Sequence, residues 1–472
     1  MSSDLMIKQR TCFPNGLNTN ICKFVVICTI LVYAVYIFLP SHESQKKWSS
    51  KANLNGVSSA TNISHLVFGI AASSNTWRNK RLYVQAWWRP NVTRGYVFMD
   101  RTPTEHLPWP STYPPFRVSE DNSRYREYNK HRMPFAIRMV RVIEETFKVA
   151  EEEDDGRVRW YVMADDDTVM LVDNLVGILS KYDHNKYYYV GMNSESIISN
   201  VYHSFGMAFG GGGYALSYPL AKAVAQNMDI CIKRYPTLYG SDHILQSCIA
   251  DLGVALTQEK GFHQIDLRGD ISGFLSAHPQ CPLISLHHLD AVDPIFPSKN
   301  RTESVELLMK AASVDESRLL QQSVCYLKKY NWTISAAWGY SIQIYDTILP
   351  PSHLHRPLQT FSQWLKGASP PFMFNVRPLS DHPCHAPHLF FFNGLVQDRL
   401  TTYTRTSPPP ACASHSPRNN VTTVRIHVLP SKNLNWLKGG GGRRECCDVV
   451  EPPGMDPLVV NLRSCAADEI VA

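Results

Sequence analysis

The chain has 472 residues, a formal net charge of +6 at pH 7, and 44% hydrophobic and 19% charged residues. That length accommodates about two or three domains of ordinary size, and the composition is that of a folded protein. The positive charge is spread along the chain and not gathered into a Lys/Arg block, which excludes a nucleic-acid partner and a polybasic membrane patch.

Near the N-terminus, "FVVICTILVYAVYIFL" (residues 24–39) is uninterruptedly apolar and is extended by Ile21 and Cys22 across Lys23. With Lys23 reaching back to the interface, residues 21–40 attain the roughly 17 to 20 positions a membrane-spanning helix needs. The run is too long for a signal-peptide core, so it reads as an uncleaved signal-anchor behind a tail of residues 1–20. Lys8, Arg10 and Lys23 on one flank balance Lys46, Lys47 and Lys51 on the other, so flanking charge does not orient the helix. Two features on its C-terminal side orient it instead. Asn62, Asn91, Asn300, Asn331 and Asn420 head Asn-x-Ser/Thr triplets, and nine of the twelve cysteines lie beyond the helix. Both suit an oxidising lumen of the secretory pathway. Residues 41–63, polar and Ser/Asn-rich, read as a stem.

The next region alternates strand and helix signals. "HLVFGIAAS", "GYVFMD" and "RWYVMA" read as buried strands, while "NTWRNKRLYVQAWW" and "MPFAIRMVRVIEETFKVAEEE" carry helical spacing. This order predicts an α/β fold with a mostly parallel sheet and helices on both faces, whose ligands bind beyond the carboxyl ends of the strands. Ser73, Asp100 and the run Asp165, Asp166, Asp167 fall there. Residues 301–472 differ in texture: "SVELLMKAASVDESRLLQQSVCYLKKY" reads as helical, "WTISAAWGYSIQIYDTIL" as paired strands, and "GGGGRRECC" with Cys465 as part of a disulfide-bearing β-rich accessory region.

Four motifs carry chemistry. Three adjacent carboxylates after "WYVM" disfavour one another's ionisation unless a cation joins them, and capping the following helix would use only one, for which Asp173 serves. In "MAFGGGGYALSYPLAKAVA", Gly210, Gly211, Gly212 and Gly213 separate a short strand from a helix opened by Ser217 and Pro219, which permits close backbone approach to a ligand. Neither the dinucleotide glycine pattern nor a P-loop is present. Asp242 in "YGSDHILQSC" opens a helix and is either an N-cap or a chemical group; His263 in "KGFHQID" is either a packing residue or a ligand.

Taken in order, "ADDD", "FGGGGYALS", "SDHILQSC" and "GFHQ" make residues 65 to about 297 resemble the Fringe-type β-1,3-glycosyltransferases of glycosyltransferase family 31, and beyond the anchor the chain looks like a plant family of Fringe-related proteins. The resemblance implies a Rossmann-like glycosyltransferase A-type fold over residues 64–300. It implies that Asp167 and His263 hold Mn²⁺, that Asp165 and Asp166 support the nucleotide end of a UDP-sugar donor, that Asp242 is the general base, and that Gly211 and Gly212 shape the floor of the site. Ser73, Arg78 and Asp100 become donor contacts by position, and Tyr239 and Phe262 candidates for stacking. The activity expected is that of a metal-dependent inverting hexosyltransferase of the Golgi membrane, type II, forming a β-1,3-type bond on a glycan or glycoprotein acceptor. Two competing readings are a non-catalytic carbohydrate-binding protein that keeps this fold and a metal-dependent hydrolase; for the latter, the paired acid and base of an ordinary glycosidase cannot be placed.

Overall fold

Every residue of β1 (Leu66–Ala71) is buried, which a strand achieves only when both faces of its sheet are covered. Its side chains alternate between two cores. Leu66, Phe68 and Ile70 pack with Trp77, Val84 and Trp87 and with Leu175 and Ile178, while Val67 and Ala71 pack with Ile137, Val140 and Phe147 and with Leu220 and Ile244. Trp160, Val162 and Ala164 of β4 (Trp160–Asp165) follow the first set and Tyr161 and Met163 the second. Helices Trp77–Trp87 and Val172–Leu179 therefore cover one face, and helices Pro134–Glu153, Tyr218–Arg234 and Ser241–Asp251 the other.

The computed structural model describes residues 60–153, 156–397, 400–408, 417–428, 443–450 and 456–471. The expected tail and membrane-spanning helix, and nearly all of the stem, lie outside these residues; among the described residues no helix is long and apolar enough to cross a membrane. With β2 (Arg94–Met99), β3 (Phe116–Val118), β5 (Val169–Met170), β6 (Tyr189–Gly191), β7 (Tyr214–Ser217) and β8 (Leu256–Gln258), the described strands form a seven-stranded sheet of order β3-β2-β1-β4-β7-β6-β8 that leaves β5 aside. Pairing is parallel except at β7, which runs against both β4 and β6. The sheet is thus mixed, parallel over its first half and reversed where the glycine loop enters β7.

Two small pairings place the chemistry. β5, β9 (Phe262–His263) and β11 (Ser285–Leu286) form a short sheet with β11 central, so the residues after β11 are carried to the end of β4. β10 (Leu267–Gly269) pairs with residues Phe361–Gln363, far along the chain. The accessory region is an eight-stranded sheet in the order Gln322–Leu327, Trp332–Ala337, Ser341–Tyr345, His388–Gln397, Leu400–Arg405, Thr423–Val428, Leu458–Arg463 and Cys446–Val450. The disulfide Cys325–Cys447 brings its two edges together, Cys446–Cys465 holds its last turn, and Cys231–Cys248 staples two helices of the first sheet. The helix expected through residues 304–330 ends at Ala312; "QSVCYL" instead pairs along its length with Trp332–Ala337, because its buried positions fit a strand covered on both sides.

One core cluster runs through both regions, joining Ile265, Leu267, Phe274 and Phe296 to Trp332, Trp338, Phe390 and Leu458. Uncovering those first four side chains, at about 1.5 to 3 kcal/mol each, removes stability comparable to the ~5 to 15 kcal/mol of a whole domain. We therefore expect residues 60–300 expressed alone to aggregate and to be cut rapidly by protease, and residues 60–472 to elute as a discrete species. Size-exclusion chromatography with limited proteolysis checks this, and a protease-resistant, soluble 60–300 fragment would refute it.

Candidate active site

β4 ends on Asp165, and the turn that follows is tied down before any ligand arrives. Asp166 N–H donates to Ala71 O at 3.0 Å, Asp165 N–H donates to Thr168 Oγ1 at 3.0 Å, and Thr168 Oγ1 donates to Gly211 O at 2.7 Å. The triplet thereby faces the glycine loop. Asp167 Oδ1 lies 3.0 Å from His287 Nε2 and Asp167 Oδ2 lies 2.7 Å from Lys80 Nζ; His287 Nε2 is also 3.9 Å from Asp165 Oδ2, and Lys80 Nζ 3.8 Å from Asp166 Oδ1. These groups line a cleft of about 470 Å³ that Ser73, Arg138 and Asp290 help to close.

Three positions of the loop demand glycine: Gly213, whose φ is +85° and where a Cβ would stand 2.5 Å from Met170 Cε, and the two that touch the site. A Cβ on Gly211 would stand 2.0 Å from Cε1 of His287, and one on Gly210 would stand 2.5 Å from Oδ1 of Asp242. Gly210 N–H donates to Asp242 Oδ2 at 2.9 Å and Gly212 N–H to Gln264 Oε1 at 2.8 Å, while Ser285 Oγ donates to Gly212 O. Asp242 sits in the first turn of helix Ser241–Asp251, whose N-cap is Gly240, and is committed to the loop and not to capping.

The electrostatics are uneven. Burial and the carboxylates of Asp167, Asp242 and Asp166 push the Asp165 carboxyl well above the usual range, and burial with Asp167 pushes Asp166 up to about 7. Burial acts the same way on Asp167, but His287 and Lys80 outweigh it and hold that carboxyl well below the usual range. Burial also raises Asp242 above an ordinary aspartate.

Asp165, Asp167 and His287 each offer one ligand atom, and these atoms lie within 4.8 Å of one another. Asp166 Oδ2 and His287 Nδ1 are buried without a hydrogen-bond partner. Two carboxylates and an imidazole are a donor set that Mn²⁺ accepts, and the charge cluster has lone pairs to spare, so the residues fit a divalent cation.

His263 is not part of that set. Its Nδ1 is 2.9 Å from Glu195 Oε1 and its Nε2 is 3.0 Å from His278 Nε2, which leaves no ring nitrogen for a metal. The cause is strand register. His263 pairs in parallel with Leu286, so the two share a face, and His287, one residue on, points to the other. Arg78 is likewise turned away: it is exposed on helix Trp77–Trp87, whereas Lys80, on the side of Trp77 and Val84, reaches the triplet. Asp173 pairs with Arg89 at 2.7 Å and makes no cap. Ser73 lines the cleft, and Asp100, accepting from Ser74 N–H at 2.7 Å, lines an adjoining cleft of about 1270 Å³ that begins at Ser73. Phe262 is 1% exposed and packs in the core.

The accessory region reaches the same place. Trp364 stacks on His288 at 4.7 Å with an interplanar angle of 6°, under the Arg268 guanidinium at 3.8 Å, and the ring of His288 is 4.0 Å from that of His287. Ile197 N–H donates to Pro371 O and Met373 N–H to Glu195 O, at 3.1 and 2.9 Å.

Set beside known proteins, residues 62–273 match the family described as Fringe-like, and residues 199–447 match the family described as "Protein of unknown function, DUF604". The first match spans the triplet, the glycine loop and Asp242 and stops short of His287; the second spans His287 and much of the accessory sheet. Among solved structures the chain is similar to one titled "Crystal structure of a glycosyltransferase involved in the glycosylation of the major capsid of PBCV-1", at 11% identity and a TM-score of 0.26, over 51% of this chain and 97% of that one.

The loop contacts give a sharp expectation. Gly211→Ala must displace His287 from Asp167, so the site should lose divalent-cation binding by at least about tenfold, as loss of a ligand's positioning does. Gly206→Ala, whose Cβ would meet only Ser204 Oγ at 3.7 Å, should leave it unchanged. Titration of Mn²⁺ followed by electron paramagnetic resonance distinguishes the two, and equal affinities would refute the packing account.

Proposed function

We propose that this chain, which belongs to the family described as "Protein of unknown function, DUF604" and carries a Fringe-like domain of glycosyltransferase type, transfers a hexose from a UDP-sugar to a hydroxyl of a glycan or glycoprotein with inversion, forming a β-1,3-type linkage as a type II protein of the Golgi membrane. The observation that carries this reading is the convergence of Asp165, Asp167 and His287 on one side of the glycine loop with Asp242 on the other. Asp242 takes the proton of the acceptor hydroxyl as its oxygen attacks the anomeric carbon and the bond from that carbon to the diphosphate oxygen breaks. Attack from the face opposite the leaving group inverts the centre. Asp165, Asp167 and His287 would hold Mn²⁺, which supplies Lewis-acid stabilisation of the charge gathering on the departing diphosphate. Lys80 and Arg138 place positive charge along the same cleft, and Ser73 and Asp100 stand where it opens toward the nucleotide.

Asp242→Asn should lower kcat by roughly 10² to 10⁴-fold while the donor KM stays within a few-fold, measured as UDP release in the presence of acceptor. A base must be ionised to act, and burial lifts this one above the ~3.9 of a free aspartate, so kcat/KM for the acceptor should rise with pH along a limb lying above pH ~4 and lose that limb in Asp242→Asn. Chelation should abolish turnover. Mn²⁺ binding should weaken in His287→Ala and Asp167→Ala and survive in His263→Gln; turnover indifferent to chelator, or metal binding lost only in His263→Gln, would overturn the assignment.

A further inference from the structure

Two residues with side chains adopt left-handed backbone at matching places. Ile265 (φ +55°) stands two positions beyond β9, and His288 (φ +53°) two positions beyond β11, the strand that pairs with β9 in parallel. Such backbone is uncommon without glycine and an outlier for a β-branched residue, so a contact that holds the strain is expected between the two strand exits. That contact is Asp266 with His288. Nδ1 of His288 lies 3.3 Å from Oδ1 of Asp266, whose Oδ2 accepts from Ser194 Oγ at 2.6 Å. In an extended strand the His288 ring would turn to the face opposite His287; here the two rings lie against each other, at 4.0 Å and 30°.

Trp364 continues the stack. Leu267 pairs antiparallel with Gln363, which sets the next residues, Asp266 and Trp364, opposite each other and leaves Arg268 diagonal to Trp364. The indole lies 4.7 Å from the His288 ring at an interplanar angle of 6°, with the Arg268 guanidinium 3.8 Å from its centre. A column therefore runs from Arg268 through Trp364 and His288 to His287. An aliphatic side chain would fill the space of the indole, but only a flat one holds a ring parallel to itself. His287 needs such a brace. A histidine that holds a metal ordinarily has its second ring nitrogen fixed by a carboxylate or a carbonyl, which sets the angle of the ring. Nδ1 of His287 is buried with no such partner among the described residues, and Asp167 meets Nε2, the atom on the side of the candidate metal site.

We infer that Trp364 is a positioning residue of the metal site: through His288 it holds the His287 imidazole at the angle that presents Nε2 to the cation. A segment of the accessory region, beyond the Fringe-like match, thereby completes the centre. This rests on His287 being a ligand of the divalent ion. In this role Trp364 touches neither the cation nor a substrate.

The full-length chain loaded with Mn²⁺ is read by the nitrogen modulation of its electron spin echo, which reports a coordinated imidazole whether or not the protein turns over. We expect that modulation to vanish in His287→Ala and to fall in Trp364→Ala and Trp364→Leu, with Mn²⁺ affinity about 10 to 100-fold weaker in the latter two. Trp364→Phe, which keeps a flat ring, should restore both, and so should His288→Phe, since the stack and not a His288 nitrogen acts on His287. In UDP release, Trp364→Leu should raise the half-saturating Mn²⁺ concentration by a similar factor and leave kcat at saturating Mn²⁺ within a few-fold. Trp364→Leu fills the space without a flat face, so it separates positioning from packing should Trp364→Ala fail to fold. Modulation and affinity in Trp364→Leu equal to those of Trp364→Phe would overturn the inference and leave His287 as a ligand. Modulation that survives in His287→Ala, or is absent from the unaltered chain, would remove the metal assignment and the inference together.

Discussion

The site depends on a backbone with no side chains at two consecutive positions. His287 and the Asp242 carboxylate approach Gly211 and Gly210 so closely that a single methyl group at either place would overlap them. Thr168 and Gln264 fasten the loop at Gly211 O and Gly212 N–H, and Ser285 fastens it at Gly212 O. Carboxylate triplet, imidazole and second carboxylate therefore lie around one stretch of main chain whose position is fixed by hydrogen bonds to three different elements. Such an arrangement costs little to hold during a reaction because it is set when the protein folds.

The short sheet of β5, β9 and β11 turns that constraint into chemistry and also links the two regions of the chain. Its central strand ends at Leu286, directly before His287, and His288 beyond it is pressed between the cleft and Trp364, a residue of the accessory region. Residues 371–373 meanwhile hold the backbone around Glu195, whose carboxylate receives the N–H of Ile265 and faces His263. The accessory sheet is thus packed behind the cleft, and the shared core through Ile265, Phe274 and Trp338 makes its folding and that of the site one event.

Much of this was legible in the chain. Buried strands over 66–71, 94–99 and 160–165 follow from continuous apolar runs, and their ends locate Ser73 and the triplet; the glycine loop and Asp242 stand out by composition and by motif order. The reversal of β7 was not legible, since "YALS" is equally apolar in either direction. Nor was the choice of histidine. "GFHQ" and "SLHHLD" both place histidine at the end of a short buried strand, and only the register of β9 against β11 decides which imidazole turns toward Asp167. Lys80 had a weak signal, a cation three residues after Trp77 on the buried side of a helix, which solvation alone would not favour.

His263 is satisfied where it lies, which explains why a histidine of the expected motif serves a structural end. His278 Nδ1 donates to Pro279 O at 2.8 Å, and its Nε2 meets His263 Nε2 while His263 Nδ1 meets Glu195. Both ring nitrogens of His263 are thus taken up by buried partners, which is how a buried polar side chain is ordinarily satisfied. The triplet is the opposite case. Burial and neighbouring carboxylates hold the Asp165 and Asp166 carboxyls above the usual range, more than Lys80 alone offsets, while His287 and Lys80 outweigh burial and hold Asp167 below it. One cluster is closed by its own partners and the other is left short of positive charge at the mouth of a cleft, and that difference marks the second as the place where a cationic ligand belongs.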